Sequence, residues 1–438
     1  MNKVTYKTLR IGDIVQTVSF THKFNKDKLI AINTSDVYNG TMGAGTLTPI
    51  NKLKGQFKKT IQKGDILFSE IRPANRRFAK VSISDCQDFV VSTKLMVLRK
   101  FNDKVDANYF FYCLTNQPFL DTLQRRAENR IGSFPQITFD ILAGYTFPIP
   151  PLDEQKRIAK VIFNIDRKIE LNKAINDNLE AMAKQLYDYW FVQFDFPNEE
   201  GKPYKSSGGA MVYNEKLKRK IPQGWSNGVL SDVANITMGQ SPDGSSYNED
   251  GEGIIFYQGS TDFGLRFPNI RQYTTSPSRY ANKGDILMSV RAPVGALNIA
   301  NNDCCIGRGL SALSSKIGSM THLYYLMNDF RLKFEGMNSA GTTFGSITKD
   351  ELFSLPVIIP TKSVISEFEQ VCEPIFDKQM IIGEEINALT KQRDELLPLL
   401  MNGQATVNYH LSSTPTTAFG MINKASTGII GTAKFDMD

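Results

Sequence analysis

The sequence predicts an α+β protein with a pseudo-twofold internal repeat: two similar mixed α/β modules separated by two long antiparallel coiled-coil helices. Two observations predict this class. The chain repeats itself after 210–220 residues, because Lys63–Leu67 (KGDIL) returns as Lys283–Leu287, and Ser133–Thr138 is echoed by Thr343–Thr348. Each copy also continues into a stretch with heptad periodicity. Because the period is the size of a domain, the repeat indicates a duplicated module and not a solenoid.

The first module is predicted at residues 1–150. Short runs of alternating apolar and polar residues, separated by Gly, Asn and Asp, are typical of strands, and a helix is predicted at about 106–127. This module holds 22 Lys and Arg against 12 Asp and Glu. Such a basic surface attracts phosphate backbones. The second module, predicted at 221–360, lies in a segment (193–360) with sixteen of each sign, so its overall charge predicts no partner.

Two helices are predicted at 151–192 and 361–408, and both carry an apolar heptad stripe in the same register after a shift of 210 residues. The simplest way to bury two such stripes is against each other. Two equivalent modules favour a twofold arrangement, which requires antiparallel helices. The predicted interface comprises Ile158, Val161, Ile165, Asn172, Ile175, Leu179, Met182 and Leu186 of the first helix, with Phe368, Val371, Ile375, Ile382, Leu389 and Leu396 of the second.

The remaining segments are predicted to be a linker at 193–220 and a poorly ordered tail at 409–438, both rich in small or polar residues. The five cysteines have no metal-ligand spacing, and we expect reduced thiols and no metal site. No stretch of 18 apolar residues and no signal peptide is found, so the sequence predicts a cytoplasmic protein that binds no membrane.

Four segments resemble one family in their order and spacing. They are Pro150–Ile158 (PPLDEQKRI) at a strand-to-helix junction, Leu186–Asp195 at the helix exit, Ile221–Trp225 (IPQGW) before the second module, and Leu396–Gln404 at the end of the second helix. Together they are similar to specificity subunits of type I restriction–modification systems (the HsdS family) over about residues 5–408. One departure is at 360–367, where the second helix lacks the Leu-x-Glu-Gln of the first.

The resemblance implies a DNA-binding subunit without catalysis of its own. Each module, a target-recognition domain in this family, would read one half of a bipartite, asymmetric site in double-stranded DNA. The helices would dock two modification subunits, which carry S-adenosylmethionine and methylate adenine. Two restriction subunits with ATP-driven translocation and nuclease activity would complete the assembly. No cofactor is expected on this chain; S-adenosylmethionine, ATP and Mg²⁺ would be bound by the partner subunits.

Motifs for intrinsic catalysis are missing from the sequence. It has no Walker A sequence and no Asn/Asp-Pro-Pro-aromatic tetrapeptide, its Gly43-Ala44-Gly45 is a lone Gly-x-Gly, and its three histidines form no cluster. We therefore expect no catalytic residues. Two alternatives stay open: a non-enzymatic scaffold with two protein-binding heads, and a fragment of a type IIG-like enzyme whose catalytic part is on another chain.

Candidate DNA contacts are cationic and amide side chains in loops, because arginine pairs with guanine, and asparagine or glutamine with adenine, in the major groove. The predicted contacts of the first module are Arg72, Asn75, Arg76, Arg77, Arg125, Arg126, Arg130 and Gln136. Those of the second module are Arg266, Arg271, Arg279, Arg291 and Arg308.

Overall fold

The structure is a computed structural model that describes residues 5–23, 25–53, 55–129, 136–339, 345–408 and 421–424. Its described residues form two compact units, Met1–Ile169 with Ala388–Asp438, and Glu170–Asn387. Each unit contains one module and parts of both long helices, Leu152–Tyr187 (the central helix) and Lys362–Met401 (the distal helix). The predicted α+β class is confirmed.

The first unit has two four-stranded sheets and three separate strand pairs. The Ile66–Ser69 strand, which follows the KGD turn, is buried between Phe78–Lys80 and Leu95–Lys100. The strands of the first unit are Lys7–Arg10, Val15–Thr17, Lys28–Ile32, Val37–Tyr38, Thr41–Met42, Thr46–Pro49, Phe57–Lys59, Ile66–Ser69, Phe78–Lys80, Phe89–Ser92, Leu95–Lys100, Thr146–Ile149, Ala405–Asn408 and Met421–Lys424. Its shorter helices are Ile50–Leu53, Ala107–Thr115, Gln117–Glu128 and Phe139–Ala143.

The second unit repeats this plan with a four-stranded and a five-stranded sheet. The Ile286–Ser289 strand lies between Leu297–Ile299 and Leu310–Ser315, as its counterpart does in the first unit. The strands are Met211–Asn214, Arg219–Pro222, Ser226–Val229, Ala234–Met238, Tyr247–Asn248, Ile254–Tyr257, Gln272–Thr274, Tyr280–Ala281, Ile286–Ser289, Leu297–Ile299, Cys304–Ile306, Leu310–Ser315 and Pro356–Ile359. The shorter helices are Leu230–Val233, Met320–Ser339 and Lys349–Phe353.

The helix predicted at 106–127 is two helices in the structure. The backbone of Asn116 is extended, and its side-chain oxygen accepts the N–H of Phe119. Pro118 in the first turn fits this new start, because proline is tolerated there and not in a helix interior. The corresponding helix of the second unit, Met320–Ser339, has no internal proline and is continuous.

The central helix buries a seam that differs in part from the predicted one. Of the predicted residues, Ile158 and Asn172 are buried, and Val161, Ile165, Leu179 and Leu186 are partly buried. The assignment of Ile175 and Met182 to the interface is wrong, because these side chains are 38% and 53% exposed. In the structure, each residue of the series that begins with Ile158 and Ile165 is followed four residues later, not three, by the second residue that the helix buries. This second seam position is occupied by Ile162, Ile169, Asn176 and Ala183, all buried.

The distal helix repeats that seam after a shift of 210 residues. Phe368, Cys372, Gln379, Ile382 and Ile386 are buried, and Ile375, Leu389 and Leu396 are partly buried. The prediction of Val371 is wrong for the same reason as above, since this side chain is 48% exposed and Cys372 takes the seam position.

The helices run antiparallel within the second unit. Asn172 donates to Glu385 at 2.8 Å, and further along the central helix Glu180 accepts from Gln379 at 2.8 Å, so one helix advances as the other recedes. In the first unit the guanidinium of Arg393 donates to Asp166 at 3.1 Å. The carboxylate of Asp166 also accepts the hydroxyl of Tyr112 at 2.9 Å, which connects the helices to the module.

Residues 193–220 fold as a packed segment and not as the predicted linker. The strands Met211–Asn214 and Arg219–Pro222 form an antiparallel hairpin. The ring of Phe196 is stacked between Tyr204 and Trp225, and the buried carboxylate of Asp195 accepts two hydrogen bonds from Ser206. Aromatic burial holds this glycine- and lysine-rich stretch in place. Of the predicted tail, only Met421–Lys424 lies within the described residues, and it pairs with Ala405–Asn408.

The Leu-x-Glu-Gln motif of the central helix has an internal role. Gln155 is 1% exposed; it accepts the N–H of Asp106 at 2.7 Å and donates to the carbonyl of Pro150 at 2.8 Å. After the shift of 210 residues its position is occupied by Ile365, 2% exposed and packed in an apolar cluster. The departure at 360–367 thus replaces buried hydrogen bonds with apolar packing.

Candidate nucleic-acid interface

A hydrogen-bonded framework surrounds the end of the Ile286–Ser289 strand in the second unit. The N–H of Val290 donates to the carbonyl of Gly309 (2.9 Å), and the N–H of Ile347 donates to the carbonyl of Val290 (3.0 Å). Arg291 forms an antiparallel bridge with Ser346. Three segments that are distant in sequence are therefore fixed side by side.

The same framework occurs in the first unit. The N–H of Glu70 donates to the carbonyl of Lys94 (3.2 Å), and the N–H of Ile137 donates to the carbonyl of Glu70 (2.7 Å). Ile71 forms an antiparallel bridge with Gln136, as Arg291 does with Ser346. Ile71 is thus the counterpart of Arg291, and Arg72 lies one residue further along the chain.

The side chains on the two frameworks differ in charge. In the second unit, Arg291, Arg308 and Lys349 line an open groove of about 390 Å³ together with Met238, Val290, Gly345, Ser346, Ile347 and Thr348. All three cations are exposed, and within the described parts of the chain neither guanidinium has a hydrogen-bonding or ionic partner. The structure therefore brings two predicted contacts, Arg291 and Arg308, into one place.

The framework of the first unit carries a carboxylate. The amide nitrogen of Gln136 donates to Glu70 at 2.9 Å. Lys59 donates from Nζ to the carbonyls of Thr93 (3.1 Å) and Leu95 (2.7 Å). Burial lowers the pKa of Lys59, and the negative charge of Glu70 opposes that shift. Amide, carboxylate and ammonium groups here offer both donors and acceptors.

The predicted Arg72–Arg77 cluster divides into exposed and engaged residues. Arg72 and Asn75 are exposed on a turn, whose Ala74 N–H donates to Gln124 of the Gln117–Glu128 helix at 3.1 Å. Arg76 instead donates to Asn39 (3.2 Å) and to Gln117.

Arg77, the last residue of that cluster, donates to the carbonyl of Ser35 at 3.3 Å and lies over the ring of Tyr38. Arg125 and Arg126 are exposed on the helix that supports the Arg72 turn. Arg130 lies outside the described residues. Arg72, Asn75, Arg125 and Arg126 are therefore the predicted residues of this module that are placed for an external contact.

Arg266 is not placed for DNA binding. It is 6% exposed, and its guanidinium lies 3.3 Å from Glu180 and 3.1 Å from Gln379, over the rings of Phe376 and Tyr324. The prediction assumed that an arginine in this loop, which contains Phe263, Phe267 and Pro268, is exposed. The structure shows that this loop folds onto the helices within the second unit.

Arg271 and Arg279 differ in whether their guanidinium groups are paired. Arg271 donates to the buried carboxylate of Asp262 (2.7 Å), which in turn accepts the N–H of Gln258 (2.8 Å). Arg271 thus positions a loop while its side chain stays 57% exposed. Arg279 is exposed and has no side-chain partner among the described residues.

Sequence reasoning missed Lys349 and Ser346. Thr348 caps the short Lys349–Phe353 helix by accepting the N–H of Glu351, whose carboxylate accepts back from Thr348. The Thr348-x-x-Glu351 pattern predicts this helix start. Combined with the echo of Gln136 by Ser346, it could have placed Lys349 beside Arg291.

The described residues contain no group of three or more His, Cys, Asp and Glu side chains that could hold a metal ion. The five cysteines are free thiols. No helix in the described ranges is long and apolar enough to cross a membrane.

Comparison with known proteins identifies the class to which this fold belongs. A family model for the type I restriction modification DNA specificity domain matches residues 3–181 and 222–395, one copy for each half of the internal repeat. The chain therefore belongs to the type I restriction–modification specificity subunit family.

Three relatives illustrate the similarity. The chain is 28% identical to the type I restriction enzyme HindI specificity subunit of Haemophilus influenzae, over 91% of this chain and 99% of the relative. It is 30% identical to a provisionally named type I restriction enzyme MjaX specificity subunit of Methanocaldococcus jannaschii, over 92% and 94%. The crystal structure of a type I restriction-modification S subunit from M. genitalium shares the fold, with a TM-score of 0.54 at 15% identity, over 92% and 97%.

Proposed function

We propose that this chain is the DNA-recognition subunit of a type I restriction–modification complex, and that each module reads one half of a bipartite, asymmetric site in double-stranded DNA. The observation that carries this proposal is the shared backbone framework with unlike side chains. Glu70 and Gln136 stand in the first unit where Val290 and Ser346 stand in the second. Two heads with one architecture and different chemistry suit a site whose halves differ in sequence.

The long helices are the proposed docking surface for two modification subunits. Leu171 and Ile381, which correspond to each other after the shift of 210 residues, are 54% and 59% exposed. Met182 (53%) and Val371 (48%) add to the apolar surface that the seam leaves uncovered. These exposed apolar side chains on the two helices are available for burial against a partner.

Catalysis belongs to the partners in this proposal. The modification subunits would bind S-adenosylmethionine and methylate adenine, and two restriction subunits would supply ATP-driven translocation and Mg²⁺-dependent cleavage. The assembled complex would then be a site-specific deoxyribonuclease and adenine methyltransferase acting on DNA in the cytoplasm.

Co-expression with the cognate modification subunit, followed by mapping of methylated adenines in host DNA, tests the proposal. We expect one motif with two defined parts and a fixed undefined gap. A complex that forms but neither methylates nor retains duplex DNA would refute the proposal and favour a protein-binding scaffold.

A further inference from the structure

We propose that the groove lined by Arg291, Arg308 and Lys349 in the second unit binds a phosphate of the DNA backbone, and that the first unit has no equivalent phosphate site. The inference rests on the proposed function, since it names the chemical group that one place on the second head contacts.

Close backbone packing fixes the loop that carries Arg308 on one side of the groove. Gly307 and Gly309 flank Arg308, and a Cβ at Gly309 would lie 2.7 Å from the carbonyl of Gln258. The N–H of Arg308 donates to the hydroxyl of Ser241 at 3.3 Å. The backbone carrying Arg308 is thus packed too tightly for larger residues, and its position is fixed by main-chain contacts.

Arg291 is fixed from the opposite side. Its carbonyl accepts the hydroxyl of Ser289 at 2.6 Å, and its backbone bridges to Ser346. Lys349 begins the short helix three residues beyond Ser346, and its Nζ lies 5.2 Å from the centroid of the Phe353 ring. Three cations from three segments therefore face one groove.

Arg291, Arg308 and Lys349 form no ion pair among the described residues. None of its nine lining residues is acidic. Glu351, two residues after Lys349, forms its hydrogen bonds with Thr348. Its carboxylate accepts two hydrogen bonds from Thr348, and these lower the pKa of Glu351. Three formal positive charges on one groove call for an anion, and a phosphate supplies charge together with several acceptor oxygens. A guanine edge offers two acceptors but no charge.

The equivalent place in the first unit lacks this character. Ile71 replaces Arg291, and Phe139 follows Thr138 where Lys349 follows Thr348. Leu95 pairs with Ser69 as Leu310 pairs with Ser289, so Thr93 corresponds to Arg308. Glu70 adds a carboxylate held by Gln136. This place therefore lacks the three converging cations of the second unit, so the two heads differ in how they contact the backbone.

The test uses the full chain in complex with its modification subunit and a duplex carrying the methylated motif. Arg291→Ala and Arg308→Ala are compared with Lys218→Ala, which removes an exposed cation from the Met211–Pro222 hairpin. Each groove variant should bind on the order of tenfold more weakly at 50 mM salt. Each should also lose about one unit of slope in the plot of log affinity against log salt. Thermal unfolding checks that the variants fold.

Modified duplexes identify the group that is contacted. One series replaces single phosphates by neutral methylphosphonates, and another replaces guanines by 7-deazaguanine. With the methylphosphonate at the contacted phosphate, Arg291→Ala should cause no further loss of affinity, and the methylated motif should be unchanged. A loss that disappears only with 7-deazaguanine, with a motif relaxed at one base, would show base reading and overturn the phosphate site.

The outcomes separate this inference from the proposed function. If the wild-type complex binds and methylates a two-part motif but the groove variants behave like Lys218→Ala, the phosphate site is refuted and the proposed function stands. If the wild-type complex does not bind DNA, both fail.

Discussion

The guanidinium of Arg266 lies 3.1 Å from the side-chain oxygen of Gln379, inside the second unit and shielded from water. Glu180 of the central helix contacts both groups, so one arginine of the module bonds to both long helices. The helices and the recognition module are therefore held together in this unit by a polar network as well as by apolar packing.

The first prediction concerns that network. Arg266→Ala should lower the free energy of unfolding by about 2–4 kcal/mol, because it leaves the buried side-chain oxygen of Gln379 without its donor and removes the ion pair with Glu180. Denaturant unfolding of the full chain measures this. Arg279→Ala, which removes an exposed arginine from the same module, should change stability by less than about 0.5 kcal/mol. Equal effects of the two variants would contradict the assigned role of Arg266.

The second prediction tests the corrected helix register. Ile169→Ala should cost about 2–4 kcal/mol, because Ile169 is 3% exposed, whereas Ile175→Ala should cost less than about 1 kcal/mol, because Ile175 is 38% exposed. The two substitutions remove the same atoms from the same helix, so they control for each other in a denaturant titration. The opposite order would restore the heptad assignment that the sequence predicted.

The third prediction compares the two copies of the Lys-Gly-Asp turn. Asp65 is 1% exposed and forms two hydrogen bonds of 2.8 Å with Arg99, so Asp65→Asn should destabilise the first unit by about 3 kcal/mol. Asp285 has no such arginine among the described residues, and burial together with Asp303 raises its pKa. Asp285→Asn should be neutral or stabilising near pH 7. Similar melting-temperature losses in both variants would argue against this difference.

The fourth prediction is a pH dependence. Burial lowers the pKa of His322 to about 3, from an ordinary value of 6.5, so the folded chain keeps this imidazole neutral while the unfolded chain protonates it. Its contribution to stability is therefore complete above pH 6.5 and is lost as the pH falls towards 3. At pH 5.5 the loss should be about 1.4 kcal/mol.

Unfolding at pH 7.5 and 5.5, compared between wild type and His322→Phe, isolates this contribution. Phenylalanine keeps an aromatic ring at a position whose imidazole packs against Phe191, with the ring centroids 4.5 Å apart. The variant should lose less stability than wild type on acidification. An identical loss in both proteins would show that His322 does not titrate in this way.

The features that were predicted correctly are those that occur in both copies of the repeat. The Lys-Gly-Asp strands, the two modules and the antiparallel helices all follow from echoed residues, and the structure has them. The second seam position escaped prediction because Asn176 and Ala183 are less apolar than Ile175 and Met182. Composition favours the larger side chains, whereas Ala183 is buried in one cluster with the rings of Tyr187, Phe191 and Phe368, where a small residue leaves them room.

The candidate site was harder to predict because it depends on contacts between distant segments. Arg291 and Arg308 are identified by type and loop position, but their convergence with Lys349 requires the strand framework. Arg266 and Arg271 belong to the same residue type as Arg279 and lie within fifteen residues of it. Only the fold separates the buried arginine, the paired arginine and the exposed one.

The most direct test of the central claim is an exchange of the second module, residues 221–360, for that of another family member, in a chain co-expressed with its modification subunit. Mapping of methylated adenines compares the parent and the exchanged chain. We expect one half of the two-part motif to change to that of the donor while the other half stays the same. A motif in which both halves change, or neither, would contradict the assignment of one half-site to each module.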